Sequence, residues 1–350
     1  MTRPVGLLSL ATASPPHELR QDEVAEAARK LFQDRFPQFE RMAPVFQTVG
    51  IRSRQSVRPV EWFFEPRGWP DRTEAYLDGA VALFADAAQA ALEQAGLTGA
   101  EIDSIVTVSS TGIATPSLEA RAMSLLGFRP DARRVPVFGL GCAGGATGLG
   151  LAARLAAAEP GQRVLLVCLE LCSLSFRLEK PSKADIVATA LFGDGAAACV
   201  LQAGEGGFAE IVGAAEHTWP DTLDIMGWRV DPEGLGVIFA QAIPPFARKN
   251  LRPAMDAMLA AQGLEVADVD RFLCHPGGVK VIEALEASLD IDQGGLDLER
   301  EVLADHGNMS SPTALFVLDR ARRRGLPNRS VLTALGPGFT ASAVTLMAAA

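Results

Sequence analysis

One local pattern occurs twice in this chain at a constant offset of 167 residues (Ala95 to Gln262). Ala95-Gly96-Leu97, followed by Ala100, Ile102 and Asp103, matches Gln262-Gly263-Leu264, followed by Ala267, Val269 and Asp270. At the same offset Arg163–Val167 falls opposite Ser330–Ala334, and the turn Gly141-Cys142 falls opposite Asn308-Met309. A period this long marks a duplicated domain rather than the turn of a solenoid. In the first copy a helical pattern over 80–95 stops at Gly96 and leads into the β-branched run Ile102–Val108, so the unit is helix, turn, strand. Alternating helices and strands in both copies predict two α/β halves related by a pseudo-two-fold axis, 1–205 and 206–350. Corresponding turns then face a shared cleft, which sets Cys142 against Asn308. The counterpart of the strand ending at Val108 is Phe272–His275, which delivers His275 from a strand end to the same place.

Composition narrows what such a molecule does. With 48% hydrophobic and 21% charged residues the chain can bury a large core. A net charge of −10 disfavours nucleic acid and anionic membranes as partners, so an anionic ligand needs a local basic patch. Five cysteines, an odd number without framework spacing, read as reduced thiols in a cytoplasmic protein. Val5–Ala13 is too short and too polar for a signal peptide and is expected to be the first strand. The Gly/Ala/Leu-rich stretch 139–158 is interrupted by Arg154, so no membrane span is expected. Residues 20–42 read as a covering helix with Phe32, Phe36 and Phe39 on one stripe.

Several motifs carry chemistry and each has a blander reading. Gly139-Leu140-Gly141-Cys142-Ala143-Gly144 fits a dinucleotide-binding loop after the strand Val135–Phe138. A cysteine stands where the pyrophosphate backbone would approach, and the next strand-end acid, Glu170, lies too far on. A nucleophilic Cys142 at a strand-to-helix turn, its thiol pKa lowered by the helix end, fits better than a packing turn. His275-Pro276-Gly277-Gly278 is a turn after an apolar strand, where a histidine reads either as a satisfied core residue or as a group exposed at a cleft floor. Asn308 in Gly307-Asn308-Met309-Ser310-Ser311 reads as a helix cap or as a site residue, and His306 beside it as structural. Cys168 and Cys172 have half of a zinc spacing and no second pair, so no metal is expected.

Taken in order along nearly the whole chain, Gly141-Cys142-Ala143-Gly144-Gly145, Phe192-Gly193-Asp194-Gly195, the His275 and Asn308 motifs, and Gly336-Pro337-Gly338 resemble the type III polyketide synthases. These are the chalcone and stilbene synthase family of thiolase-fold condensing enzymes. Ketoacyl-ACP synthase III also uses Cys, His and Asn, but its His and Asn segments differ. The resemblance implies a thiolase-like α/β fold with duplicated halves in αβαβα layers, a homodimer, and an acyltransferase acting on an acyl-CoA primer and malonyl-CoA with no further cofactor. Cys142 would carry the acyl group, and a protonated His275 with Asn308 would stabilise the malonyl-derived enolate. The segment Ser109–Pro116 looks most like bacterial alkylpyrone and alkylresorcinol synthases, which accept fatty primers; a small-product synthase making a methylpyrone, phloroglucinol or tetrahydroxynaphthalene is the alternative.

The resemblance also implies a substrate-binding set. Phe192 matches the gatekeeper at the CoA tunnel, and Val237 replaces a second gatekeeper phenylalanine, which widens the passage. Ser110, Thr111, Thr115, Glu170, Cys172, Ser175, Gly278, Ser310 and Gly338 match cavity positions. Glu170 with Ser310 and Ser110 or Thr111 is expected to form a hydrogen-bonded network that influences thioester cleavage. Arg41, Arg52, Arg54 and Lys280 are the candidates for binding CoA phosphates, each with solvated surface charge as the alternative.

Overall fold

The computed structural model describes residues 4–178 and 181–349. Nine strands form the central sheet: β1 (Val5–Ala13), β2 (Ser104–Val108), β3 (Arg133–Val137), β4 (Arg163–Leu171), β5 (Asp194–Gly207), β6 (Ala209–Thr218), β7 (Arg271–Cys274), β8 (Arg329–Gly336) and β9 (Thr340–Ala348). Their order is β7-β8-β9-β6-β1-β5-β4-β2-β3. Outward from β1 the pairings to β5, β4 and β2 run antiparallel, antiparallel and parallel. Outward from β6 the pairings to β9, β8 and β7 repeat that pattern. The two flanks meet where Val5, Gly6 and Leu7 pair with Ile211, Glu210 and Ala209. The duplication expected from the offset is therefore a duplicated topology, with β3 the one strand lacking a counterpart.

The principal helices are α1 (Gln21–Phe32), α2 (Trp69–Ala95), α3 (Gly144–Ala158), α4 (Lys183–Leu191), α5 (Ile243–Ala260), α6 (Val279–Leu289), α7 (Asp297–His306) and α8 (Thr313–Arg324). Along β4, Val164, Leu166 and Cys168 belong to the apolar cluster around α3 and α8. Leu165, Val167 and Leu169 alternate with them and join the cluster under α2. A strand buried on both faces reads as a continuous apolar run, and burying each such side chain contributes about 1.5–3 kcal/mol. Helices α3 and α8 contact strands of both flanks and form the middle layer, while α2 covers one outer face and α5 with α6 the other. The layers are α, β, α, β, α: a thiolase-like fold.

Three expectations change in detail. The helix before Gly96 starts at Trp69 rather than near residue 80, and Gly96 ends it with φ 66°, a left-handed cap. The expected covering helix over 20–42 is broken: α1 ends at Phe32 and a four-residue helix, Phe39–Met42, follows. Pro37 lies between them, and the residue before a proline is disfavoured in helical geometry. Phe32 and Phe39 are still buried together, ring centroids 6.1 Å apart, while Phe36 is only partly buried at the edge of that cluster.

Candidate active site

Cys142 sits in a 3₁₀ turn, Gly141–Ala143, between β3 and the N-terminus of α3. The glycines after it serve packing: a Cβ on Gly145 would stand 2.3 Å from the carbonyl oxygen of Ser311, so glycine lets α3 approach the segment that carries Asn308. His275 follows the last residue of β7, its N–H donating to the Thr333 carbonyl at 2.8 Å. Asn308 bridges in parallel to Phe192 and precedes α8. Cys142, His275 and Asn308 line one buried chamber with Met226, Phe239 and Gly277. The Cys142 Sγ lies 4.0 Å from Asn308 Oδ1. That oxygen accepts from the Ser310 N–H at 2.8 Å, so Asn308 does cap the turn before α8, and its Nδ2 makes only a long 3.5 Å contact to the Gly277 carbonyl. Among the described residues neither ring nitrogen of His275 has a hydrogen-bond partner, although the ring is buried. An unpaired buried donor or acceptor is costly in the resting protein.

Electrostatically, burial works against the thiolate expected at the helix end. Burial pushes the Cys142 thiol up to about 11, outweighing the contacts with Ser310 and Asn308 that pull it down. Burial likewise lowers His275 to about 3. Removing water penalises each charge singly.

On the other side of Cys142 a second small room is lined by Phe192, Val237, Cys172 and Ser310, with Trp228, Met226 and Pro337. Val237 and Trp228 belong to a hairpin, Met226–Asp231 paired with Gly234–Phe239. The Phe192 ring meets the edges of Trp228 and Phe239 at centroid distances of 6.2 and 6.3 Å. Ser310 has φ 59°, an uncommon conformation for a residue with a side chain and one that gathers at functional sites. Outside the chamber a cleft of about 510 Å³ shares Phe239, Ile243, Gly277 and Val281 with it; Gly278, Lys280 and Lys183 stand on its wall. Inside, the volumes are about 20 and 30 Å³, room for one or two waters.

Other expected residues fall elsewhere. Glu170 is fully buried behind the Cys142 turn. One oxygen accepts from the Ser110 N–H and Thr111 Oγ1, both at 2.8 Å, and the other from Ser311 Oγ at 3.0 Å, so Ser311 takes the place expected for Ser310. Burial raises Glu170 to about 7 against these hydrogen bonds. Ser110 Oγ accepts the N–H groups of Gly139 and Gly141, so it supports the turn directly. Ser175 lines an apolar cavity that also borders Cys172 and Phe192, and with Thr111 lines a further small one. Thr115 is exposed and Gly338 spends its carbonyl on Thr222 Oγ1, with Pro337 on the wall instead; neither lines these cavities. Arg54 is a clear correction: it is buried, with its N–H groups on carbonyls of the chain, because the strand Ser53–Ser56 turns it inward. Arg52 is exposed and paired with Asp305, and Arg41 is exposed beside Met42, which reaches the cleft. Trp228, Met226, Phe239 and Lys183 were not found from sequence, because bulky apolar residues on a hairpin and one lysine opening a helix carry no spacing signal. Among the described residues no group of three or more His, Cys, Asp or Glu is placed to hold a metal ion, and no helix is long and apolar enough to cross a membrane.

A buried cysteine, histidine and asparagine where two halves of a thiolase-like fold meet define an acyltransferase of the condensing class. The family models for the chalcone and stilbene synthases match residues 68–205 (N-terminal domain) and 210–349 (C-terminal domain). The chain belongs to that family, the type III polyketide synthases. It is 37% identical over 352 residues to a 1,3,6,8-tetrahydroxynaphthalene synthase of Streptomyces peucetius subsp. caesius, covering 98% of this chain and 93% of the relative. It is 31% identical over 347 residues to the alpha-pyrone synthesis polyketide synthase-like protein Pks18 of Mycobacterium tuberculosis, covering 95% and 88%. The crystal structure of 1,3,6,8-tetrahydroxynaphthalene synthase from Streptomyces coelicolor A3(2) superimposes with a TM-score of 0.93 at 29% identity, covering 99% of each chain.

Proposed function

We propose that the chain extends an acyl-CoA primer with malonyl-CoA and cyclises the product, with Cys142, His275 and Asn308 as the reacting set. The observation that carries this reading is the one chamber that holds all three, with both His275 nitrogens unpartnered. Cys142 gives its proton to His275 and attacks the primer thioester; a carbon–sulfur bond forms and CoA thiolate leaves. Malonyl-CoA then enters with its thioester carbonyl toward His275 and the Asn308 amide. Its carbon–carbon bond to the carboxylate breaks, carbon dioxide leaves, and the electron pair is held as an enolate by those two donors. The enolate carbon attacks the acyl carbon on Cys142, forming the new carbon–carbon bond and releasing the thiolate. In this scheme CoA thioesters are substrates and no other cofactor takes part. Lys183 and Lys280 on the outer cleft supply positive charge for the CoA phosphates in a chain of net charge −10.

For the product, the apolar cavity beside Cys172 and Phe192 favours a fatty primer and an alkylpyrone or alkylresorcinol. The narrow room under Trp228 favours the second reading, a small-ring product. We further assign residues 1–205 and 206–350 to the two halves, supported by strands to Gly207 on one flank and from Ala209 on the other. A cytoplasmic homodimer is supported by five free cysteines and by the exposure of Ile113, Leu125 and Phe138 on the single chain. Mass spectrometry of the products formed from malonyl-CoA with primers from acetyl-CoA to stearoyl-CoA tests the assignment. Alkylated pyrones or resorcinols from long primers support the main reading, products from malonyl-CoA alone or short primers the second, and turnover only with an acyl carrier protein contradicts both.

A further inference from the structure

We propose that Arg54 is a positioning residue that sets Asn308 in the active chamber by fixing the carbonyl end of α4. It was expected at a phosphate and lies 3% exposed instead. One guanidinium nitrogen donates to the carbonyls of Thr189 and Phe192 at 2.8 and 3.1 Å, the other to that of Ala190 at 2.8 Å and to Gln21 Oε1. These are carbonyls that the end of a helix leaves without partners, and a cation there also complements the helix dipole. From this held segment two backbone hydrogen bonds reach the active site: the Asn308 N–H donates to the Leu191 carbonyl at 2.9 Å, and the Gly193 N–H donates to the Asn308 carbonyl at 3.0 Å. The packing is closed around the junction. A Cβ on Gly193 would stand 2.4 Å from the His306 carbonyl oxygen and 3.1 Å from Arg54 Cβ, and one on Gly307 would stand 2.8 Å from the Leu191 carbonyl oxygen. The 191–193 segment therefore cannot shift without moving Asn308 or Arg54. Burial lowers the Arg54 pKa to about 9, partly offset by Asp194. Lysine keeps the charge but cannot reproduce a fork that serves three carbonyls and Gln21.

The proposal rests on Asn308 acting as an enolate-stabilising donor, so Asn308→Ala is measured alongside Arg54→Gln and Arg54→Lys. The readouts are malonyl-CoA decarboxylation without primer, the iodoacetamide alkylation rate of Cys142, and thermal unfolding. If Asn308→Ala leaves decarboxylation intact, the reading of Asn308 fails and the proposal falls with it. With Asn308→Ala impaired, misplacement of the donor predicts that the kcat for decarboxylation falls roughly 10- to 100-fold in Arg54→Gln and by less in Arg54→Lys. KM stays within about twofold and the alkylation rate falls by much less than decarboxylation, since the Cys142 turn is held by Ser110 and Cys142 meets Asn308 only at 4.0 Å. If Arg54→Gln does not fold, Arg54→Lys carries the test. A folded variant whose decarboxylation kcat is within twofold of wild type overturns the proposal, as does a loss of decarboxylation and alkylation together in proportion to the unfolded fraction.

Discussion

At Cys142 a helix N-terminus favours a thiolate in general, but burial pushes this thiol up to about 11 and lowers His275 to about 3. In the proposed scheme His275 is the acceptor that lets the thiolate form. Reaction with iodoacetamide requires the thiolate, so its rate climbs with pH until that form dominates. In wild type, transfer to His275 brings the plateau to lower pH; in His275→Ala the rate keeps climbing toward about 11, the value burial imposes on the unassisted thiol. Superimposable profiles for the two proteins would show that His275 takes no part in forming the nucleophile. The same competition sets Glu170 apart from a solvent-facing acid: it is held by Ser110, Thr111 and Ser311 and shapes the site from behind the Cys142 turn.

Among the elements, the hairpin Met226–Phe239 walls the small room at Cys142. Trp228 borders both the room at Cys142 and the neighbouring cavity that contains Thr111 and Ser175. Trp228→Gly joins the two spaces, so products carry more extension units or longer primers at undiminished Cys142 alkylation; an unchanged product profile by mass spectrometry contradicts this role for the hairpin. The hairpin also shows what could be read from the residues in advance. Cys142, His275 and Asn308 were found because a repeat offset and strand-to-turn punctuation place them at corresponding strand and turn ends, a consequence of backbone topology. Val237 came from counting along a resemblance, whereas Trp228 and Phe239, its neighbours on the hairpin, have the same composition as core residues and reveal a cavity only when the hairpin is folded over Phe192. Arg54 shows the opposite failure: Arg52 and Arg54 look equivalent in sequence, yet Arg52 precedes the strand Ser53–Ser56 and is exposed, whereas Arg54 lies within it on the face the strand buries.

For the molecule as a whole, duplication brings two half-sites to one chamber and buries several carboxyls in the process. Glu299 on α7 accepts from the Cys274 N–H at 2.8 Å, while its other oxygen has no hydrogen-bond partner among the described residues and the Arg271 guanidinium stands 3.8 Å away. Burial raises it to about 7. A carboxyl held above its unfolded value of about 4.3 binds its proton more tightly when folded, so its contribution to stability is present below about pH 4.3 and lost as pH rises through about 7. Glu299→Gln removes that loss: its unfolding midpoint relative to wild type increases from about pH 5 to about pH 8, and a difference independent of pH contradicts the assignment. The catalytic account itself depends on a covalent acyl group at the junction of the halves. Intact-protein and peptide mass spectrometry after mixing with an acyl-CoA primer, without malonyl-CoA, tests it most directly. One acyl adduct per chain is expected, on the peptide containing Cys142 and absent from Cys142→Ala; an adduct that persists in that variant, or products formed by it at the wild-type rate, would rule out the covalent step at Cys142.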